Sequence, residues 1–137
     1  MRKSDKVVTI RGRFLGIAVL VSILIIIGII HVFVGFAMIS GYYLVSFSSE
    51  PLAYSVYTFV YGLFTFLFSY MLWTGKRSGW IGTIAVSLFV IFADILAALD
   101  LFSFLGIPPI AAIIEVPFYM LILAYVLQNH VKAKYSI

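Results

Sequence analysis

Four long apolar stretches separated by short polar connections dominate the sequence. They run over about residues 14–39, 52–73, 79–101 and 108–127. Each matches the roughly 20 apolar residues that a helix needs to cross the hydrocarbon core of a bilayer. A lone strand would leave its backbone groups unpaired in lipid, and the alternation of a barrel strand is absent. The pattern predicts an all-α fold, in which residues 1–137 form a single domain built as a bundle of four transmembrane helices.

Composition agrees with a membrane protein. Hydrophobic residues make up 64% of the chain and charged residues 10%, and the mean hydropathy is +1.19. Soluble domains carry about 25% charged residues, so this chain has too little charge to cover a water-exposed surface. The chain has no cysteine. Disulfides, iron–sulfur clusters and thiol catalysis are therefore excluded.

The positions of the positive charges predict the orientation. All nine Lys and Arg residues lie before the first stretch, between the second and third, or after the fourth: Arg2, Lys3, Lys6, Arg11, Arg13, Lys76, Arg77, Lys132 and Lys134. Cytoplasmic connections are the ones enriched in Lys and Arg. We therefore expect both termini in the cytoplasm, and the resemblance described below implies a prokaryotic plasma membrane. Charge arranged in this way is an orientation signal, and it predicts no binding of nucleic acid.

Small residues recur at helical spacing within the stretches and predict where helices pack. In lipid, helices associate through small residues that allow close approach and through hydrogen bonds. The positions that meet this description are Gly28, Gly35, Gly62, Thr65, Ser69, Ala97 and Ala98.

Each stretch also carries a residue that is unusual inside a membrane. They are His31, Thr58, Asp94, Glu115 and Tyr119. The helical positions of His31, Thr58, Asp94 and Glu115 put these four at about the same depth, roughly 10 Å below the outer ends of their helices, and Tyr119 lies on the same face as Glu115. A carboxylate at a helix centre costs about 3 kcal/mol to insert and almost never faces lipid. Asp94 is therefore expected to point inward, with His31 as its partner and Glu115 close enough to compete.

Two interpretations of this predicted group stay open. It is a buried, hydrogen-bonded lock, or it is a site for a proton, a cation or a polar headgroup. One histidine and two carboxylates match a metal-ligand set in type. Their spacing on three helices is not diagnostic, so neither a metal nor a cofactor is predicted.

The second half of the chain resembles a known kind of protein. The segment IPPIAAIIEVPFYMLILAYVLQNHVKAKY and the earlier TGKRSGWIGT are similar to small uncharacterised four-span membrane proteins of prokaryotes. The shared features are a basic Gly-Trp turn, an Ile-Pro turn, and a last helix that ends in a short Val-Lys tail. The resemblance implies the four-span topology and carries no activity.

Small size, short connections and many aromatic residues favour a non-catalytic accessory or structural subunit of a larger membrane complex, of the respiratory or another energy-converting type. The alternative is a small homo-oligomeric transporter or channel that uses the His/Asp/Glu group to move protons, cations or a small solute. A third possibility is a lipid-handling protein. The chain has no phosphate-binding glycine loop, HExxH helix or GxSxG elbow, so no enzyme is predicted. The expected partners are the lipid bilayer and other membrane subunits or further copies of the chain.

Overall fold

The computed structural model of the protein describes residues 9–10, 13–45, 52–101 and 106–136. These residues are almost entirely helical, as the sequence predicts. The helices are α1 (Leu15–Val45), α2 (Leu52–Trp73), α3 (Arg77–Ala98), α4 (Pro109–Val126) and α5 (Asn129–Lys134). Ahead of α1, the two-residue strands β1 (Thr9–Ile10) and β2 (Arg13–Phe14) pair antiparallel. Of the basic residues that predict orientation, Arg2, Lys3, Lys6 and Arg11 lie outside the described residues.

Three of the four predicted spans are helices long and apolar enough to cross a membrane: α1, α2 and α3. The fourth, α4, has 18 residues, and its apolar segment Ile113–Val126 is shorter. The bounds of α2 and α4 agree with the prediction to within one residue. Helix α1 continues to Val45, six residues beyond the predicted end.

The predicted end of α3 at residue 101 is wrong by three residues, because the chain turns there. Asp100 has a φ of 59°. Its amide donates to the carbonyl of Ala97 at 3.0 Å, and the amide of Leu101 donates to that of Leu96 at 2.9 Å. This pair of bonds is the Schellman motif, which ends a helix. Leu99 and Leu101 are apolar, so hydropathy alone extends the helix through them.

Helix α2 ends in the same motif, here with a glycine at the left-handed position. Gly75 has a φ of 77°. Its amide donates to the carbonyl of Leu72 at 3.1 Å, and that of Lys76 donates to the carbonyl of Met71 at 3.0 Å. The chain reverses within three residues, which places α3 directly against α2.

The main helix contacts run in chain order: α1 with α2, α2 with α3, and α3 with α4. Glycines bring α1 and α2 together. A Cβ atom at Gly62 would lie 2.6 Å from the amide nitrogen of Val32, and one at Gly35 would lie 2.5 Å from that of Phe59. A Cβ atom at Gly28 would likewise lie 2.9 Å from the amide nitrogen of Phe66. The two backbones are therefore in direct contact, as the small-residue pattern predicts.

The end of the bundle near the Lys76 turn is closed by apolar packing and by the C-terminal segment. Val126 and Val131 are fully buried there. The indole Nε1 of Trp80 donates to the carbonyl of Val126 at 2.9 Å. The hydroxyl of Tyr135 donates to the carbonyl of Leu72 at 2.8 Å. Helix α5, which hydropathy does not predict, thus covers this end of the bundle.

Candidate intramembrane binding site

The bundle buries polar side chains within its apolar core and exposes large apolar side chains. Four hydroxyl residues of α2 are buried with 0–4% of their surface exposed: Ser55, Thr58, Thr65 and Ser69. The outer surface instead carries large apolar side chains, such as Phe33, which is 76% exposed. This distribution suits a helix bundle surrounded by lipid.

Most of the unusual polar residues surround one small space in the bundle, which we call the polar cluster. Its polar members are His31 of α1, Tyr54, Tyr57, Thr58 and Tyr61 of α2, Asp94 of α3 and Glu115 of α4. The space that the centre of a water molecule can occupy among them is about 10 Å³. That volume accommodates about one water-sized group.

Asp94 is the most deeply buried member of the polar cluster. It is only 1% exposed, although it is a carboxylic acid. Its Oδ2 atom is buried and has no hydrogen-bond partner among the described residues, and the same is true of the hydroxyl oxygen of Tyr57. A buried polar atom that loses its partner costs about 1–3 kcal/mol. Two such atoms beside one small space indicate a site for a group that supplies hydrogen bonds.

His31 does not form the predicted pair with Asp94. Its Nδ1 donates to the carbonyl of Ile27 at 2.8 Å, one turn earlier in the same helix. Its ring meets the ring of Tyr61 edge-on, with the centroids 4.8 Å apart. The backbone carbonyl is a nearer acceptor than a side chain on another helix. With the proton on Nδ1, Nε2 of a neutral ring is left as an acceptor.

Tyr119 lies outside the polar cluster, although it belongs to the predicted group. It is buried, and its ring meets that of Tyr61 at 6.3 Å and that of Phe118 at 5.5 Å. Its hydroxyl oxygen is also buried without a hydrogen-bond partner. It lines a second space of about 10 Å³, together with Thr65 and Ser87. Tyr119 thus lies between the polar cluster and the middle of the bundle.

Three other interior hydroxyls, of Ser69, Thr83 and Ser87, bond to their own helices. Ser69 donates to the carbonyl of Thr65 at 2.5 Å, and Ser87 donates to that of Thr83 at 2.7 Å. Thr83 itself donates to the carbonyl of Gly79 at 2.8 Å. These three hydroxyls are satisfied by the backbone four residues earlier, so their role is packing.

The predicted packing positions divide into two sets. Those on α1 and α2 are all buried: Gly28, Gly35, Gly62, Thr65 and Ser69. Those on α3 are not, because Ala97 is half-buried and Ala98 is exposed. Ala98 is the last residue of α3 and lies at the edge of its inner face. Ala93, which is 2% exposed, lies within that face instead.

Sequence reasoning missed Tyr57 and Tyr61 as members of the site. A signal for them was present, because Tyr54, Tyr57 and Tyr61 are spaced three and four residues apart and therefore share one face of α2. Their rings stack in sequence, at 6.5 Å for Tyr54 and Tyr57 and at 6.1 Å for Tyr57 and Tyr61. Tyrosine is common both in apolar cores and at membrane surfaces, so this spacing alone does not indicate a polar site.

Within the described ranges, no three His, Asp or Glu side chains come close enough together to hold one metal ion. Comparison of the chain with family models, curated proteins and solved structures gives no match. The properties of the site therefore rest on its own geometry.

Proposed function

We propose that this protein spans a prokaryotic plasma membrane four times, with both termini in the cytoplasm. Three helices of sufficient length and hydropathy support the membrane location. All nine Lys and Arg residues lie at one end of the predicted spans, which supports the orientation. Because the chain has no cysteine, Ser78→Cys at an exposed position in the first turn of α3 gives a single labelling site. A membrane-impermeant thiol reagent should label it only after the membrane is opened, and labelling of intact cells would reverse the orientation.

Within that membrane, the protein is proposed to bind and move a small polar or positively charged species, as a homo-oligomeric transporter. The observation that carries this proposal is the buried Oδ2 of Asp94, which has no hydrogen-bond partner beside a water-sized space. A carboxylate retained only as a structural lock would be expected to have its partners in place. The narrowness of that space suggests that movement requires rearrangement of the helices or an interface between copies. No catalytic role is assigned.

Flux in proteoliposomes tests this function. Asp94→Asn keeps the shape of the side chain and removes its charge, and Asp100→Asn makes the same change in the exposed turn after α3. We expect Asp94→Asn to abolish proton or monovalent-cation flux while unfolding of the protein is unchanged. Asp100→Asn should behave like the unmodified protein. Equal flux in both variants would refute the transport function.

An accessory subunit is the second candidate, and the small size of the two interior polar spaces favours it. The polar spaces hold about one water each, and α5 covers one end. A chain with this role would need its apolar outer face, including Phe33 and Phe36, to contact another subunit. Stoichiometric foreign subunits after extraction in a mild detergent would support this candidate. A homo-oligomer without other proteins would support the transporter.

A further inference from the structure

A cleft between α1 and α4 opens at the surface of the bundle and adjoins the polar cluster. It has about 210 Å³ of open space, and its walls are formed by Ile27 and His31 of α1 and by Ile114, Glu115 and Phe118 of α4, with Tyr61 behind them. We call it the α1–α4 cleft. Helix α1 pairs mainly with α2, and α4 pairs mainly with α3. The space between α1 and α4 therefore faces the lipid that surrounds the bundle.

The α1–α4 cleft and the polar cluster share three residues: His31, Tyr61 and Glu115. A molecule in the cleft therefore lies directly against residues of the polar cluster. Ile114, at the entrance, is 65% exposed. The apolar walls suit an alkyl chain, and the polar groups at the inner end suit a headgroup.

The charges at the inner end identify the kind of headgroup. Asp94 and Glu115 supply two carboxyl groups, and every Lys and Arg of the chain lies outside the predicted spans. Nε2 of His31 is left as an acceptor, because Nδ1 donates to the backbone. Burial of a charge is expensive unless an opposite charge accompanies it. The site thus favours a hydrogen-bond donor with a positive charge and disfavours an anion.

The size of the polar space points to a primary ammonium group. Such a group is compact and has three N–H donors. Among the described residues, two oxygen atoms of the polar cluster are buried without a hydrogen-bond partner, on Tyr57 and Asp94, and Nε2 of a neutral His31 ring is a third acceptor. A hydrated inorganic cation needs more room than one water-sized space and usually more oxygen ligands. An ammonium headgroup meets both the volume and the number of these acceptors.

We propose that the α1–α4 cleft is the site of a long-chain primary amine, whose ammonium group lies in the polar cluster and whose alkyl chain extends through the cleft into the lipid. The cleft volume of about 210 Å³ is below the roughly 300–1,000 Å³ of a site that encloses its ligand. Part of the alkyl chain therefore remains in the bilayer. This inference rests on the proposed function, since it names the substrate class of the same site.

Equilibrium binding to the full-length protein in lipid nanodiscs tests the proposal, with empty nanodiscs as the correction for partition into lipid. The probe is dodecylamine, and dodecanoic acid and dodecanol have the same chain with an anionic or neutral headgroup. We expect saturable binding of dodecylamine, with the alcohol and the acid weaker by more than about tenfold because a buried charge pair is lost. Equal binding of the acid and the amine would overturn the proposal. This comparison uses only the unmodified protein, so it does not depend on the folding of a variant.

Two neighbouring substitutions locate the site. Ile114→Trp fills the entrance of the cleft, and Ile113→Trp adds the same bulk at an adjacent residue that is 69% exposed and does not line it. Only Ile114→Trp should weaken binding of dodecylamine. Equal binding by both variants would refute the cleft as the site. If amine binding follows these expectations while Asp94→Asn leaves flux unchanged, the transport function is refuted and the binding site is supported. If flux depends on Asp94 but the amine does not bind, the transport function is supported and the amine site is refuted.

Discussion

The contact between α1 and α2 is predicted to depend on the absence of a side chain at Gly35. A Cβ atom there would lie 2.5 Å from the amide nitrogen and 2.7 Å from the Cα atom of Phe59. Favourable contacts between heavy atoms begin at about 3.5 Å, so Gly35→Ala requires the two backbones to separate locally by about 1 Å. Both obstructing atoms belong to the backbone, and a change of side-chain rotamer cannot relieve the overlap.

Gly41 of the same helix supplies the matched control, because a Cβ atom there would meet none of the described residues within 4 Å. Replacement of glycine by alanine within a helix gains up to about 1 kcal/mol from backbone entropy at either position. Overpacking costs about 1–3 kcal/mol. Gly35→Ala is therefore expected to be about 1–3 kcal/mol less stable than Gly41→Ala, since the entropy gain largely cancels in the comparison.

Equilibrium unfolding of the detergent-solubilised protein measures this difference. Trp73 and Trp80 are both partly buried near the α2–α3 turn, so their fluorescence reports unfolding in each variant. Reduced stability of Gly35→Ala relative to Gly41→Ala would support backbone contact between the helices. Equal stability of the two variants would refute it, because an added methyl group would then have found room.

Two further predictions concern the end of the bundle near the α2–α3 turn. Tyr135→Phe removes the hydrogen bond to the carbonyl of Leu72 and should destabilise the protein by about 1 kcal/mol, with faster proteolysis of the C-terminal segment. Tyr70→Phe, at an exposed tyrosine, should have no such effect, and equal proteolysis of both variants would contradict the docking of α5. Gly75→Ala should cost about 1 kcal/mol in a thermal melt, because φ is +77° there and nothing lies near enough to clash. An unchanged melting temperature would show that the turn does not require the left-handed conformation.

Much of the fold follows from hydropathy and glycine spacing. The predicted bounds of α2 are correct to the residue, because a long apolar run between polar connections leaves little freedom in where a membrane-spanning helix begins and ends. Gly28, Gly35 and Gly62 are predicted as contacts because close packing holds helices together in a bilayer. The end of α3 is missed, since its turn is formed by backbone hydrogen bonds at Asp100 that hydropathy does not detect.

The site is less predictable than the fold. The positions of His31, Asp94 and Glu115 along their helices predict that they lie at one depth, and the structure places them around one space. Hydrogen-bond partners depend on distances between atoms, so His31 is paired with Asp94 in the prediction and with Ile27 in the structure. The role of Tyr57 depends on which groups surround its hydroxyl, which only the assembled bundle reveals.

The interior hydroxyls also bear on how the protein is made. The hydroxyls of Ser69, Thr83 and Ser87 donate to backbone carbonyls of their own helices. On the proposed topology, these hydroxyls need no partner from another helix when each helix leaves the translocon. Asp94 has no such option, and its buried Oδ2 reaches no backbone donor. On the proposed topology, α3 would carry this carboxyl group into the bilayer without a partner. Insertion of α3 is therefore expected to limit assembly, and α1 and α2, already paired through their glycines, would provide the surface on which it packs.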